Sequence, residues 1–212
     1  MGWSLMLWVC ATAGSSQTWA RHRVRHRQPL YKWAPPALVL QKLEQGNLRF
    51  ASGKSHFSGE GKGEKEDPIP NEAFERPPAI IITCNDSPSP IERMFDQGAG
   101  QLFILRTKTV PLGDGALSSL EYALTYLNVS FVTILGHDTC LFGPGEGSTP
   151  TLKSGVSDAA TRLLSQSTVI SDAIKEGRAA LYASIYQTDL KQVTFLEPTF
   201  VKNKVPLPVG SK

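Results

Sequence analysis

The stretch Pro77-Pro-Ala-Ile-Ile-Ile-Thr-Cys84 decides the architecture. A short, unbroken apolar run bounded by turn residues reads as a strand buried on both faces, because a strand with one wet face would alternate apolar with polar residues. Outward from it, the same text recurs. A short helix is expected from Pro90 to Gln97, a strand over Gln101–Arg106, a helix from Asp114 to Leu127 and a strand over Val129–Gly136. Helical stretches follow at Val156–Leu164 and Val169–Lys175, then strands over Ala180–Tyr186 and Gln192–Leu196, the last as an antiparallel edge. Strands alternating with helices imply right-handed crossovers, so the fold class is α/β, a mostly parallel central sheet flanked by helices. Before Pro77, the stretch Ala37–Phe50 reads as a packed helix interrupted at Gly46, and Ala51–Asn71, rich in Gly, Lys, Glu and Pro, as an exposed loop.

At 212 residues with 41% hydrophobic and 19% charged content, the chain fits one globular domain with tails. A mean hydropathy of −0.17 argues against a polytopic membrane protein, and three cysteines are too few for a disulfide-stapled miniprotein. The formal charge of +3 conceals an asymmetry. Every acidic residue lies at or after Glu44, while Arg21, Arg23, Arg25, Arg27 and Lys32 precede it; removing those five from 22 basic residues leaves 17 against 19 acidic ones, a net of −2. A mildly acidic body gives no case for nucleic-acid binding.

Residues 1–33 differ from the rest and hold all four tryptophans. The apolar stretch Trp3–Ala13 is too short for a bilayer span, which takes roughly 20 residues. With the acid-free run Arg21–Arg27 after it, the segment reads as a targeting presequence, layered as for a plastid reached through the secretory route; the competing reading is a basic arm. Residues 34–196 form the folded domain and 197–212 a Pro-rich C-terminal arm. Sequons at Asn85 and Asn128 argue against long residence in a glycosylating lumen, which favours an organelle, plastid before mitochondrion, with the secretory route as the alternative.

In a parallel α/β sheet, ligands bind beyond the carboxyl ends of the strands. Cys84 stands at one such end, and His137 and Cys140 follow another. Two thiolates and an imidazole suit Zn2+, and three protein ligands leave a fourth position for water or substrate. Two other readings compete: buried cysteines acting as small apolar residues, and a Cys84–Cys140 disulfide formed in an oxidising compartment.

The segments GNLRF (46–50), PAIIITCNDS (78–87), LFILR (102–106), SSLEYAL (118–124) and ILGHDTC (134–140), in this order, resemble the β-class carbonic anhydrases. The resemblance runs from Leu38 to Leu196. It implies that Cys84, His137 and Cys140 are zinc ligands, that Asp86 is the catalytic carboxylate, and that the reaction is reversible hydration of CO2 to bicarbonate through zinc-bound hydroxide. It also implies a homodimer.

The chain departs from the family pattern at Pro88, where an arginine normally holds the aspartate through a bidentate pair. Proline carries neither charge nor donor, so the dyad is broken, and Asp86 is free to point at the bound water or to take the fourth zinc position itself. Arg76, Arg93 and Arg106 are the nearby candidates to substitute; Arg106 matches a family arginine outside the dyad. The turn RTKTV (106–110) and Leu141 after the second cysteine differ from the family as well. Reduced activity is therefore expected. The alternatives are an inactive structural subunit of a larger hetero-complex and a hydrolase of COS or CS2.

Overall fold

The computed structural model describes residues 33–56, 77–98, 100–108, 110–138 and 149–196. The expected presequence, apart from Trp33, and the C-terminal arm lie outside them, as does the loop beyond His56. The described elements run α1 (Pro36–Ala51), β1 (Ala79–Cys84), α2 (Ile91–Met94), β2 (Leu102–Thr107), α3 (Asp114–Tyr126), β3 (Phe131–His137), α4 (Thr149–Gln166), α5 (Thr168–Lys175), β4 (Ala180–Gln187) and β5 (Gln192–Phe195). The strands form one sheet in the order β2-β1-β3-β4-β5. The first four pair in parallel, and β5 closes the sheet antiparallel to β4.

Every residue of β1 and of β3 is buried, as expected for strands covered on both sides. The pleat divides their side chains. Ile80, Ile82, Val132 and Ile134 pack with Leu120, Ala123 and Leu124 of α3, with Val156, Ala159 and Leu163 of α4, and with Ile170 of α5. Ala79, Ile81, Phe131 and Leu135 pack on the other face with Val39, Leu40 and Leu43 of α1 and with Ile91, Met94 and Phe95 at α2. The architecture is three layers, helices over sheet over helices. Among the described residues, no helix is long and apolar enough to cross a membrane.

Two boundaries differ from expectation for physical reasons. Helix α1 runs unbroken through Gly46, which is buried and faces α2: an added Cβ would stand 1.9 Å from the Phe95 carbonyl oxygen. The glycine is a point of close approach, which sequence alone mimics as a break. Helix α4 starts at Thr149, before the expected Val156, so the helix covering β3 is longer than its apolar spacing suggests. At Gly136 it comes close enough that an added Cβ would meet Val156 Cγ1 at 2.7 Å and Leu152 Cδ1 at 2.9 Å.

The GNLRF motif of α1 proves to be a staple. Asn47 Nδ2 donates to the carbonyls of Met94 (3.0 Å) and Lys191 (3.2 Å), and its Oδ1 accepts from Val193 N–H at 2.8 Å. Arg49 Nε pairs at 2.5 Å with the buried Asp96 carboxylate, which also accepts from the His56 backbone N–H at 2.7 Å. On the same face burial pushes the Tyr182 hydroxyl above its ordinary pKa, with the nearby negative charge of Glu44 adding to the effect. Gly46→Ala should lower stability by about 1–3 kcal/mol through overpacking against backbone. Alanine's advantage in helix propensity, about 1 kcal/mol, works against this loss. The measurement is the urea midpoint at unchanged slope; a variant as stable as the parent would show that the α1–α2 contact is not rigid.

Candidate metal centre

The β1–β3 ladder pairs Thr83 with Leu135, so Cys84 and His137 both finish their strands at the same carboxyl rim. Cys84 shares its pleat with Ile80 and Ile82, and His137 shares one with Phe131 and Leu135, so the two approach the rim from opposite faces of the sheet. Asp86 lies in the turn after β1, where Ser87 N–H donates to the Cys84 carbonyl at 3.2 Å. Its Oδ1 stands 3.3 Å from Nε2 of His137. The environments contrast: the His137 side chain is 2% exposed and that of Asp86 58%. A buried imidazole thus meets solvent through one carboxylate.

One donor atom from each of Cys84, Asp86 and His137 lies within 4.8 Å of the others, a grouping able to hold a metal ion. Bond lengths of about 2.0–2.3 Å put tetrahedral ligand atoms roughly 3.3–3.8 Å apart, a spacing that Cys84 and His137 reach by small side-chain adjustments, with Asp86 beside them. Oxidation state limits that fit. Cys84 is disulfide-bonded, its partner lying outside the described residues, and only a thiolate is a zinc ligand. The donor set suits zinc when Cys84 is reduced. Both states of this cysteine are consistent with the sequence.

Of the four residues expected at the site, Cys84, Asp86 and His137 come together, while Cys140 lies outside the described residues. Pro88 is exposed in the turn and supplies no partner to the carboxylate. Arg106, at the rim end of β2, is directed at the same turn, donating to the carbonyls of Ser87 and Ser89. Asp138, not singled out from sequence, accepts from Thr188 N–H at 2.8 Å and ties the segment after His137 to the end of β4. A short acidic residue directly after a strand, able to accept from a turn N–H, could have drawn attention to it.

Residues 79–142 match the family model described as carbonic anhydrase. Over 105 residues the chain is 35% identical to carbonic anhydrase 2 of Mycobacterium tuberculosis, covering 50% of this chain and 49% of that protein. It is equally similar, 35% over 105 residues, to the carbonic anhydrase of Mycolicibacterium smegmatis, with 50% of each chain covered. The chain spans about half the length of these curated relatives. Among solved structures it is similar to the β-carbonic anhydrase CafA of Aspergillus fumigatus, with 19% identity, 58% of this chain and 76% of that chain covered, and a TM-score of 0.49. The β-carbonic anhydrase CcaA matches at 18% identity and a TM-score of 0.49, over 76% of this chain and 100% of that one. The matched segment, Ala79 to Phe142, begins with β1, passes through β3 and contains Cys84, Asp86, His137 and Cys140; over this segment the chain is similar to the carbonic anhydrases.

Proposed function

We propose that this chain holds Zn2+ through Cys84, His137 and Cys140 and catalyses the reversible hydration of CO2 to bicarbonate, at an activity below that of relatives with an intact dyad. The observation that carries the reading is the convergence of Cys84, Asp86 and His137 at one rim of a parallel sheet. When bound, zinc supplies a water-derived nucleophile near neutral pH. The chain's part is to hold and orient. Buried His137 is fixed at the end of β3 by the strand ladder, with its register partner Tyr186 beside it. Asp86, exposed on one side and 3.3 Å from the imidazole on the other, is placed to accept a proton from the reacting water and pass it to solvent.

Lower activity follows from two features. Pro88 gives the Asp86 carboxylate no guanidinium, and the Arg106 guanidinium lies on backbone carbonyls instead. A second reading, an inactive subunit in which the fold alone is used, is favoured by the disulfide at Cys84, which removes a thiolate from the donor set. One preparation separates the two. A dithiol reductant, itself oxidised to a disulfide, delivers two electrons and two protons to the Cys84 disulfide and yields two thiols. The reduced chain should then take up one equivalent of zinc by metal analysis, and the oxidised chain and reduced His137→Ala should take up none. Zinc retained at full stoichiometry by the His137 variant would remove the ligand assignment. Stopped-flow CO2 hydration by the zinc-loaded chain should exceed the uncatalysed rate by orders of magnitude; a rate equal to background would leave the structural reading standing.

Two further proposals concern assembly and address. The edge strand β2 carries half-buried Phe103, Ile104 and Leu105 on both of its faces, a pattern that supports a homodimer. Light scattering should give twice the 23.1 kDa chain mass, and a monomer at micromolar concentration would reject it. The basic, acid-free first 33 residues support import into a plastid, where incubation with isolated organelles should give a protected, shortened product.

A further inference from the structure

Arg106 stands level with Thr83 across the β1–β2 ladder, one residue before the end of its strand. Its Nη1 donates to the Ser87 carbonyl and its Nη2 to the Ser89 carbonyl, each at 3.4 Å. These carbonyls flank Pro88, so one planar cation spans the residue at which the family's dyad arginine is missing. The turn beneath has few donors of its own, since Pro88 and Pro90 lack N–H groups. Asp86 rides on this turn with its side chain 58% exposed, yet its carboxylate stays 3.3 Å from a buried imidazole. An exposed carboxylate holds such a place when the backbone carrying it is held.

We propose that Arg106 is a positioning residue for Asp86, acting through the Ser87 and Ser89 carbonyls to keep the carboxylate at His137 and so at the metal centre. The fork geometry matters. A guanidinium offers two donors in one rigid plane, and a lysine ammonium reaches the same pair as a single point. The proposal rests on the reading of Cys84, Asp86 and His137 as a metal site, and it assigns Arg106 no contact with the reacting atoms.

The first test needs no metal. In the reduced, metal-free chain the 15N resonance of His137 Nε2 reports the carboxylate beside it. Asp86→Asn should shift that resonance, Arg106→Gln should shift it in the same direction, and Arg106→Lys should fall between Arg106→Gln and the parent. A resonance unmoved by Arg106→Gln overturns the proposal, and so does one unmoved by Asp86→Asn. The second test is zinc affinity by competition with a chromophoric chelator. Outer partners of a metal site are commonly worth 10–100-fold in affinity, so Arg106→Gln and Asp86→Asn should each weaken zinc by about tenfold or more. The double variant should lose no more than the larger single loss, because both act through one carboxylate. Losses that multiply would show that Arg106 acts independently of Asp86 and would overturn the proposal. If the parent chain takes up no zinc, the functional reading fails, while the metal-free resonance still decides the role of Arg106. Circular dichroism and melting establish that each variant is folded, and Arg106→Lys serves if Arg106→Gln is not.

Discussion

The pairing of β1 with β3 is the constraint on which the site depends. Five matched pairs, from Ala79↔Phe131 to Thr83↔Leu135, set the two central strands in parallel and in a single register. A slip of one residue would turn every side chain to the other face and move His137 away from Cys84. That slip is resisted from both sides, since both faces of both strands are buried under helices. Thr83 adds a direct tie, its Oγ1 donating to the Leu135 carbonyl at 3.0 Å. The hydrophobic core thus fixes the distance between a sulfur and an imidazole that have no local connection in the chain.

The polar residues near that rim divide into two kinds. His137 is buried and rigid, while Asp86 sits on a short exposed turn whose position is maintained from a neighbouring strand. In a site with an arginine two residues after the aspartate, carboxylate and partner would share one turn. Here the supporting cation comes from β2 and grips backbone, so it fixes where the carboxylate is without pairing with its charge. Geometry and charge compensation, combined in one residue elsewhere in the family pattern, are separated in this chain.

Most of the fold was legible because its signals are local. Unbroken apolar runs between turn residues mark β1, β3 and β4, and the edge position of β5 follows from its short, half-polar text. What escaped depends on distant partners. Gly46 looks like an interruption unless Phe95 is known to press against it, and Asn47 and Arg49 could be recognised only as part of a family-like motif. Their work, holding Met94, Asp96 and the β4–β5 hairpin, involves residues 47 to 146 positions away. The rim position of Cys84 and His137 was readable from strand ends and that of Asp86 only through the family resemblance, whereas the oxidised state of Cys84 and the grip of Arg106 on the Asp86 turn were not readable. The grip of Arg106 is a contact between neighbouring strand ends rather than a property of one segment.

The Asn47 staple has a consequence for the order in which the molecule assembles. Among the described elements helix α1 is synthesised first, yet the Val193 N–H that its Asn47 accepts from is made 146 residues later. During synthesis α1 can cover the sheet and bond Met94 and Asp96, but its tie to β5 must wait for the hairpin. The first of the described helices is the last to be fully secured, and a chain halted before β5 would hold α1 through Met94, Asp96 and the core alone, without its tie to the β4–β5 hairpin.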